Sequence, residues 1–435
     1  MKNFTFSTFF VLLLSVLNVQ AQNWESSGIT FDVIGKKTID IDNNDIVYIS
    51  SIENDVLVIK RKINGAWENV GLPLNDADSF GSINLRVSPN GTPYVAYEDD
   101  TLDDKLTVRR FINGVWELVG TQGFTTNRVP NMVMELDSNG NPYVFYPILG
   151  QNGKAKVQTF INGSWTPLGT EDFSSQGIGS LDIAIGSDNI PMVLYQDGGK
   201  LTARKFDSGN WQLVGDAQFS GSSLFPTFSL ALDSNNNPYV AYLNIDNGNL
   251  VCETFDGSSW VVLGGQEISD DPFVPSIIID KSDFPVVVYE DRSLNPERLS
   301  AKRFDGSDWN FIGVQGFSVD YGRRPNLAVN SENTIYLTYN DTGSSITTFI
   351  TTNQPHYSKK INYNPETKIT STESIQIREK GYYKFVDITL QFESNDSDFI
   401  SICTTDENVN RLRISNNGFN INKNLDFDTA NLKTE

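Results

Sequence analysis

With 435 residues, 39% of them hydrophobic, the chain is long enough for a large packed core or a repeat array, and its composition is that of a globular protein. A formal net charge of −21 disfavours nucleic acid and anionic membranes as partners, since both are held largely through lysine and arginine. Two cysteines, Cys252 and Cys403, cannot build a disulfide framework or a zinc site; Cys252 sits in an alternating apolar run and reads as a buried thiol, with a Cys252–Cys403 pair as the alternative.

The first segment, MKNFTFSTFFVLLLSVLNVQAQ, has one basic residue, an apolar run from Phe9 to Leu17 and the small-residue spacing Val19-x-Ala21. Residues 1–21 therefore read as a secretory signal peptide with Gln22 as the mature start. The expected location is extracellular, periplasmic or on the cell surface. No later stretch approaches the roughly 20 apolar residues needed to span a bilayer.

From Trp24 onward the chain repeats. All seven tryptophans stand in one motif, WESSG, WENVG, WELVG, WTPLG, WQLVG, WVVLG and WNFIG, at spacings of 43, 49, 49, 46, 49 and 49 residues. Five of them follow a phenylalanine by five positions (Phe111, Phe160, Phe206, Phe255 and Phe304), across turn sequences such as ING, DSG and DGS. Each such stretch predicts strand, tight hairpin and strand. Between successive tryptophans lie an alternating run such as FSLALD, a turn such as SNNNP, a run such as PYVAY, and a third such as LTVRRF. Four short strands per unit, without helical periodicity, predict an all-β protein: a seven-bladed β-propeller over residues 22–352. The last unit supplies three strands and no tryptophan, so the orphan Trp24 strand is expected to complete it and close the ring.

These repeats resemble those of secreted bacterial seven-bladed β-propellers. They lack the Gly-His and Trp-Asp pairs of the WD type and the Gly-Gly of kelch repeats. FDGSSW, residues 255–260, keeps a glycine three before Trp260 but places Phe255 where the sialidase Asp-box has its aspartate. The resemblance implies the fold and no particular activity.

Residues 353–435 lose the motif and are rich in Asn, Asp, Thr and Lys; a small β-rich or partly disordered appendage is expected there.

Function is expected on the face that carries the loops after the second and fourth strands, which vary in length and chemistry. Four second strands end in aspartate, Asp99, Asp197, Asp291 and Asp341, where other units have Ser51, Ile148 and Asn244. These carboxylates could accept sugar hydroxyls or ligate Ca²⁺, or each could cap the turn that follows it. The loop GFSVDYGRRPN gathers Asp320, Tyr321, Arg323 and Arg324, and TTNRVPN places Arg128 in the matching loop of another unit. Arginine forks suit carboxylate or sulfate, and tyrosine can stack on a sugar or move a proton; a surface ion-pair cluster is the other reading. DIDNND at 40–45 and LDSNGNP at 136–142 read as hairpin turns, lacking the glycine and terminal glutamate of an EF-hand.

The single histidine, His356, lies beyond the repeats, which excludes a histidine base within them. The leading expectation is a secreted, monomeric recognition protein that binds glycan or another extracellular ligand, without a cofactor unless Ca²⁺. The alternatives are a polysaccharide lyase or glycoside hydrolase using Tyr321 with Arg323 or Arg324, or two loop carboxylates, and a structural or protein-binding propeller.

Overall fold

The computed structural model describes residues 24–31, 37–78, 81–149, 152–170, 172–222, 228–265, 267–318, 321–341 and 347–353, and four further strands at Thr372–Glu379, Tyr382–Gln391, Phe399–Thr404 and Leu412–Ser415. The chain divides into two units, Met1–Gln354 and Pro355–Glu435. The second contains one antiparallel four-stranded sheet made of those four strands in order. Asp320, His356 and the signal-like segment 1–21 lie outside the described residues.

The first unit is an all-β propeller of four-stranded blades. Six blades each use four strands consecutive in the chain: residues 38–69 (blade 1), 83–118 (blade 2), 133–167 (blade 3), 181–213 (blade 4), 228–262 (blade 5) and 272–311 (blade 6). A further sheet is composite: Gly322–Val329, Ile335–Asp341 and Thr347–Asn353 are joined on the outer side by Glu25–Phe31, paired antiparallel with Thr347–Asn353. Second strands of the PYVAY type are covered on both faces, so all seven residues of Pro93–Asp99 are buried, with Tyr94 and Tyr97 on opposite faces.

The tryptophan motif is a joint between neighbours. The indole Nε1–H of Trp116 donates to the Val70 carbonyl of the preceding blade at 2.8 Å, and Trp165, Trp211 and Trp260 donate likewise to Val119, Leu168 and Val214. Trp24 does the same to Ile312 O at 3.1 Å, across 288 residues. Blade 6 departs from this: Leu263 enters a 3₁₀ turn, and the Trp309 Nε1 has no partner among the described residues. Five indoles are tilted against an own-blade phenylalanine, as in Phe160–Trp165 at 5.5 Å, and Trp24, Trp165, Trp211 and Trp260 are stacked by a loop phenylalanine, as in Phe124–Trp165 at 4.1 Å and Phe317–Trp24 at 4.6 Å.

Two more sets of bonds run around the ring. Inner-strand side chains cap the next inner strand: Thr38 Oγ1 accepts from Leu85 N, Asp40 from Val87 N, Asp182 from Leu230 N and Asn326 from Ile39 N. At the first-to-second-strand turns, Ser138 N donates to Asn189 Oδ1, Ser187 N to Asn236 Oδ1, Ser234 N to Asp283 Oδ1, and Ser331 N to Asp45 Oδ1. The turns themselves are built by aspartate: Asp42 Oδ1 accepts from Asn44 N and Ile46 N, and Asp137 Oδ1 from Asn139 N and Asn141 N, which is the hairpin role read from DIDNND and LDSNGNP. Cys252 is a free, buried thiol whose pKa burial pushes up.

The glycine that ends the motif has a steric cause. Gly120 lies at φ +77° with its missing Cβ site 2.7 Å from Phe160 of the next blade, whereas Gly114, at φ +84° in the hairpin turn, has open space around it. Gly114→Ala is expected to cost about 1–2 kcal/mol from the left-handed backbone alone. Gly120→Ala should cost a further 1–3 kcal/mol, roughly, for displacing Phe160. Equal losses in paired denaturant melts would contradict this account of the motif.

Candidate functional site

On the variable-loop side, three of the aspartates that end second strands, Asp99, Asp197 and Asp291, are consumed by the scaffold. Asp99 is fully buried; its Oδ1 accepts from Thr101 N at 3.1 Å and Thr101 Oγ1, and its Oδ2 from Thr107 Oγ1 and Gln122 Nε2, each at 2.8 Å. Asp291 repeats the arrangement with Ser293, Ser300 Oγ at 2.8 Å and Gln315 Nε2 at 2.9 Å. Four bonds fill the roughly four acceptor positions of a carboxylate. Each aspartate thus pins its own turn, the third strand and the loop that leads to the next blade. Asp197 is held differently, by Ser175 Oγ on both oxygens at 2.6 and 2.7 Å. There Gln218 takes the left-handed position that Gly123 and Gly316 occupy elsewhere, at φ +57°. Asp341 ends its strand in register with Gly322 and Thr347.

The glutamates before Asp99 and Asp291 each anchor the start of an inner strand, Glu98 in its own blade and Glu290 in the sheet that follows. Glu98 Oε1 accepts from Ser82 N at 2.7 Å, and Glu290 Oε1 from Arg324 N at 3.0 Å. Glu290 also receives Arg323 Nη1 at 2.9 Å, while Arg323 Nη2 reaches Glu297 at 2.7 Å. Burial pushes the Glu290 carboxyl above its usual range, and the Arg324 N–H and Arg323 oppose this. Arg323 is therefore a bridge between two carboxylates. Tyr321 and the Arg324 side chain are exposed, as is Arg128 on the loop before blade 3. Sequence reasoning missed Gln122, Gln315, Glu98 and Glu290; the recurrent QGF after the tryptophan strand and the middle letter of YED were the available signals.

At the mouth of the inner strands on this side lies a cavity of about 230 Å³. It is framed by Lys37, Asn84, Asn131, Val274, Arg324 and Thr338, drawn from three different inner strands, the approaches to two more, and one second strand. Lys37 Nζ donates to Asn340 Oδ1 at 2.9 Å. Burial, reinforced by Arg324, lowers the Lys37 pKa to about 8, against the pull of Glu53. Among the described residues no group of three or more His, Cys, Asp or Glu side chains could hold a metal ion.

A larger groove of about 760 Å³ runs between blades 4 and 5 on the short-turn side, past Asp188, Asn236, Tyr239 and Asp256. Two of its polar groups are committed: Asn236 Oδ1 accepts from Ser187 N, and Asp256 Oδ1 from the amides of Ser258 and Ser259.

Deeper along the inner strands, Arg86 Nε pairs with Glu135 at 2.8 Å, and Asp40 and Asp182 stand nearby. Burial raises both aspartates from 3.8 to about 6. Because the unfolded chain ionises them lower, the stability they contribute is fully present below about 3.8 and is lost as pH rises through about 6. The double substitution Asp40→Asn, Asp182→Asn keeps an acceptor for Val87 N and Leu230 N. It should raise the thermal midpoint at alkaline pH by about 2–4 °C relative to the parent and much less in acid; a pH-independent difference would refute the burial argument.

No family model and no curated protein matches this chain. Solved structures do match. The polysaccharide lyase Uly1 is 10% identical, with 79% of this chain and 94% of its own covered, at a TM-score of 0.51. AofleA from Arthrobotrys oligospora is 12% identical over 67% of this chain and 91% of its own, at 0.45. The fucose-specific lectin from Aleuria aurantia is 17% identical over 65% and 96%, at 0.44. At 10% identity the likeness to Uly1 concerns the fold alone, and the class that the strand order defines is the β-propeller. Among the described residues no helix is long and apolar enough to cross a membrane.

Proposed function

We propose that this protein is a secreted glycan-binding propeller that takes its ligand on the variable-loop side. The observation that carries this reading is the contrast between the two sides. The short-turn side is knit by the Ser138–Asn189, Ser187–Asn236, Ser234–Asp283 and Ser331–Asp45 bonds, whereas the other side opens into a polar cavity at the ring's mouth. Concave sites with a few convergent polar groups are where small ligands are held. In this reading Arg128 and Arg324 face the ligand, and Asp99, Asp197, Asp291 and, by its place in the strand, Asp341 hold the loops that present them. Arg323 supports Arg324 through Glu290.

The composite sheet serves in the same reading as a seventh blade that closes the ring, with residues 1–21 removed on export, residues 22–352 forming a monomeric propeller and 353–435 an appended β-rich region. Trp24 supports this, since it meets Ile312 and Phe317 as Trp165 meets Val119 and Phe124. Deleting residues 23–28 should lower the melting temperature by several degrees; an unchanged transition would sink the closure.

Incubating the protein with a panel of polysaccharides, while following retention and the appearance of reducing ends or unsaturated uronates, tests the ligand. Retention without products is expected. Cleavage that disappears in Tyr321→Phe would establish the lyase reading in its place, and no retention on any glycan would refute the proposal.

A further inference from the structure

The cavity between Lys37 and Arg324 contains two polar atoms that the fold leaves unmatched. Among the described residues Asn84 Oδ1 and Thr338 Oγ1 have no hydrogen-bond partner, and their residues are only 7% and 1% exposed. Nearly all buried polar groups in a folded protein are paired, so two orphans facing one cavity mark a place where a partner from outside would complete the bonding. One orphan is an acceptor, and the other is a hydroxyl that can donate or accept. Both suit a polyhydroxylated ligand.

The same cavity carries two cations in a chain whose net charge is −21. The Lys37 ammonium is brought to it buried, beside the guanidinium side of Arg324. Glu290 engages Arg324 through its backbone N–H, and among the described residues no carboxylate pairs with the Arg324 guanidinium. Like charges converging on a small cavity are costly unless an anion sits between them. A guanidinium fork beside a point-like ammonium is a fit for a carboxylate.

The backbone breaks its own repeat at this place. The inner strands of blades 1 to 5 pair with their neighbours in unbroken register. Those of blade 6 and the composite sheet carry bulges, between Phe273 and Ser276 and between Arg323 and Asn326. The bulges place Val274 at φ +39° and Arg324 at φ +53°, and both residues frame the cavity. Left-handed backbone at a β-branched residue is strained, and bulges of this kind re-aim side chains. Here they turn Arg324 to the cavity, breaking the symmetry that the repeats otherwise keep.

We propose that this cavity is a subsite for one acidic sugar ring, a uronate, with its carboxylate between Lys37 and Arg324 and its hydroxyls on Asn84 and Thr338. The inference rests on the glycan-binding reading and narrows it. A volume of about 230 Å³ lies below the roughly 300 Å³ at which sites for drug-sized ligands begin, so the cavity suits one ring, with any remaining chain on the outer face.

Titration calorimetry of the full chain with galacturonate, glucuronate and their oligomers, against galactose and glucose, tests it. At least one uronate should bind about tenfold or more tightly than its neutral parent. Arg324→Ala and Asn84→Ala should each weaken it by about tenfold, while Arg61→Ala, on the third strand of blade 1 and paired with Glu68, leaves it unchanged. Arg324 is exposed, so its loss should leave the melting temperature intact. Affinity should also fall as pH rises through about 8, where Lys37, facing Arg324, Glu53 and Asn340, gives up its proton. Equal affinity for the neutral sugar, an unaffected Arg324→Ala, or no uronate binding at millimolar concentration overturns the inference. Retention of a neutral glycan that is indifferent to Arg324→Ala would refute the acidic subsite and leave the glycan-binding reading standing; no retention of any glycan would refute both.

Discussion

One hydrogen bond, made at five junctions and missing at Trp309 among the described residues, holds the propeller in shape: the indole N–H of one blade on the carbonyl that precedes the motif glycine of the blade before. The outer strand ends at that carbonyl, and the following glycine turns into left-handed backbone, so no neighbouring strand supplies a donor. The tryptophan supplies it from the next blade and lays its ring between two phenylalanines as it does so. The net worth of one such bond is about 1 kcal/mol, and the burial of the aromatic ring adds more. The bond fixes the spacing between neighbours, because donor, ring and glycine must all meet at once. This explains why tryptophan, phenylalanine and glycine recur together, and why the intervals in the motif are so constant while the loops between motifs drift.

Given that joint, the two sides of the ring have different freedom. The short turns must reach the neighbouring blade, and serine, asparagine and aspartate at the turn positions do this through side chain to backbone bonds. The longer loops have no such obligation to each other. They are held instead from within, by aspartates such as Asp99 and Asp291 that gather a turn, a strand hydroxyl and a loop glutamine into one buried cluster. A charge so fully bonded stays buried at tolerable cost and lends its rigidity to whatever residues lie outside it. The recurrent acidic ring is in this sense the frame of the variable side, and the irregular residues, Arg128 and Arg324 among them, are what the frame displays.

The four-stranded repeat and the hairpins before the tryptophans were legible from the sequence because they obey a period, and a period is carried by residue type alone. FDGSSW became a hairpin, and Asp137 and Asp42 became turn acceptors, as their turn sequences predicted. The division of labour within the loops was less legible. That Glu290 would hold the Arg324 backbone, and that Arg323 would bridge Glu290 and Glu297, depends on which strand end meets which loop start in space. Lys37 and Asn84 gave no signal, since a lone lysine before a strand and an asparagine within one are ordinary residues; only the convergence of inner strands puts them in one cavity.

Symmetry and its failure therefore carry different information. A feature present in every blade answers to a demand that every blade shares, which is packing against the next. The bulges at Val274 and Arg324 answer to no such demand, since the first five blades build the same inner strand without them. Strained backbone persists only where the surrounding structure over-determines it, and it gathers where a side chain must be aimed. Here two adjacent inner strands are bent towards one mouth of the ring, next to an asparagine and a threonine that each hold a polar atom without a partner among the described residues. Regular bonding holds the ring together, and where it is interrupted two cations and two polar atoms without partners among the described residues line the same small volume.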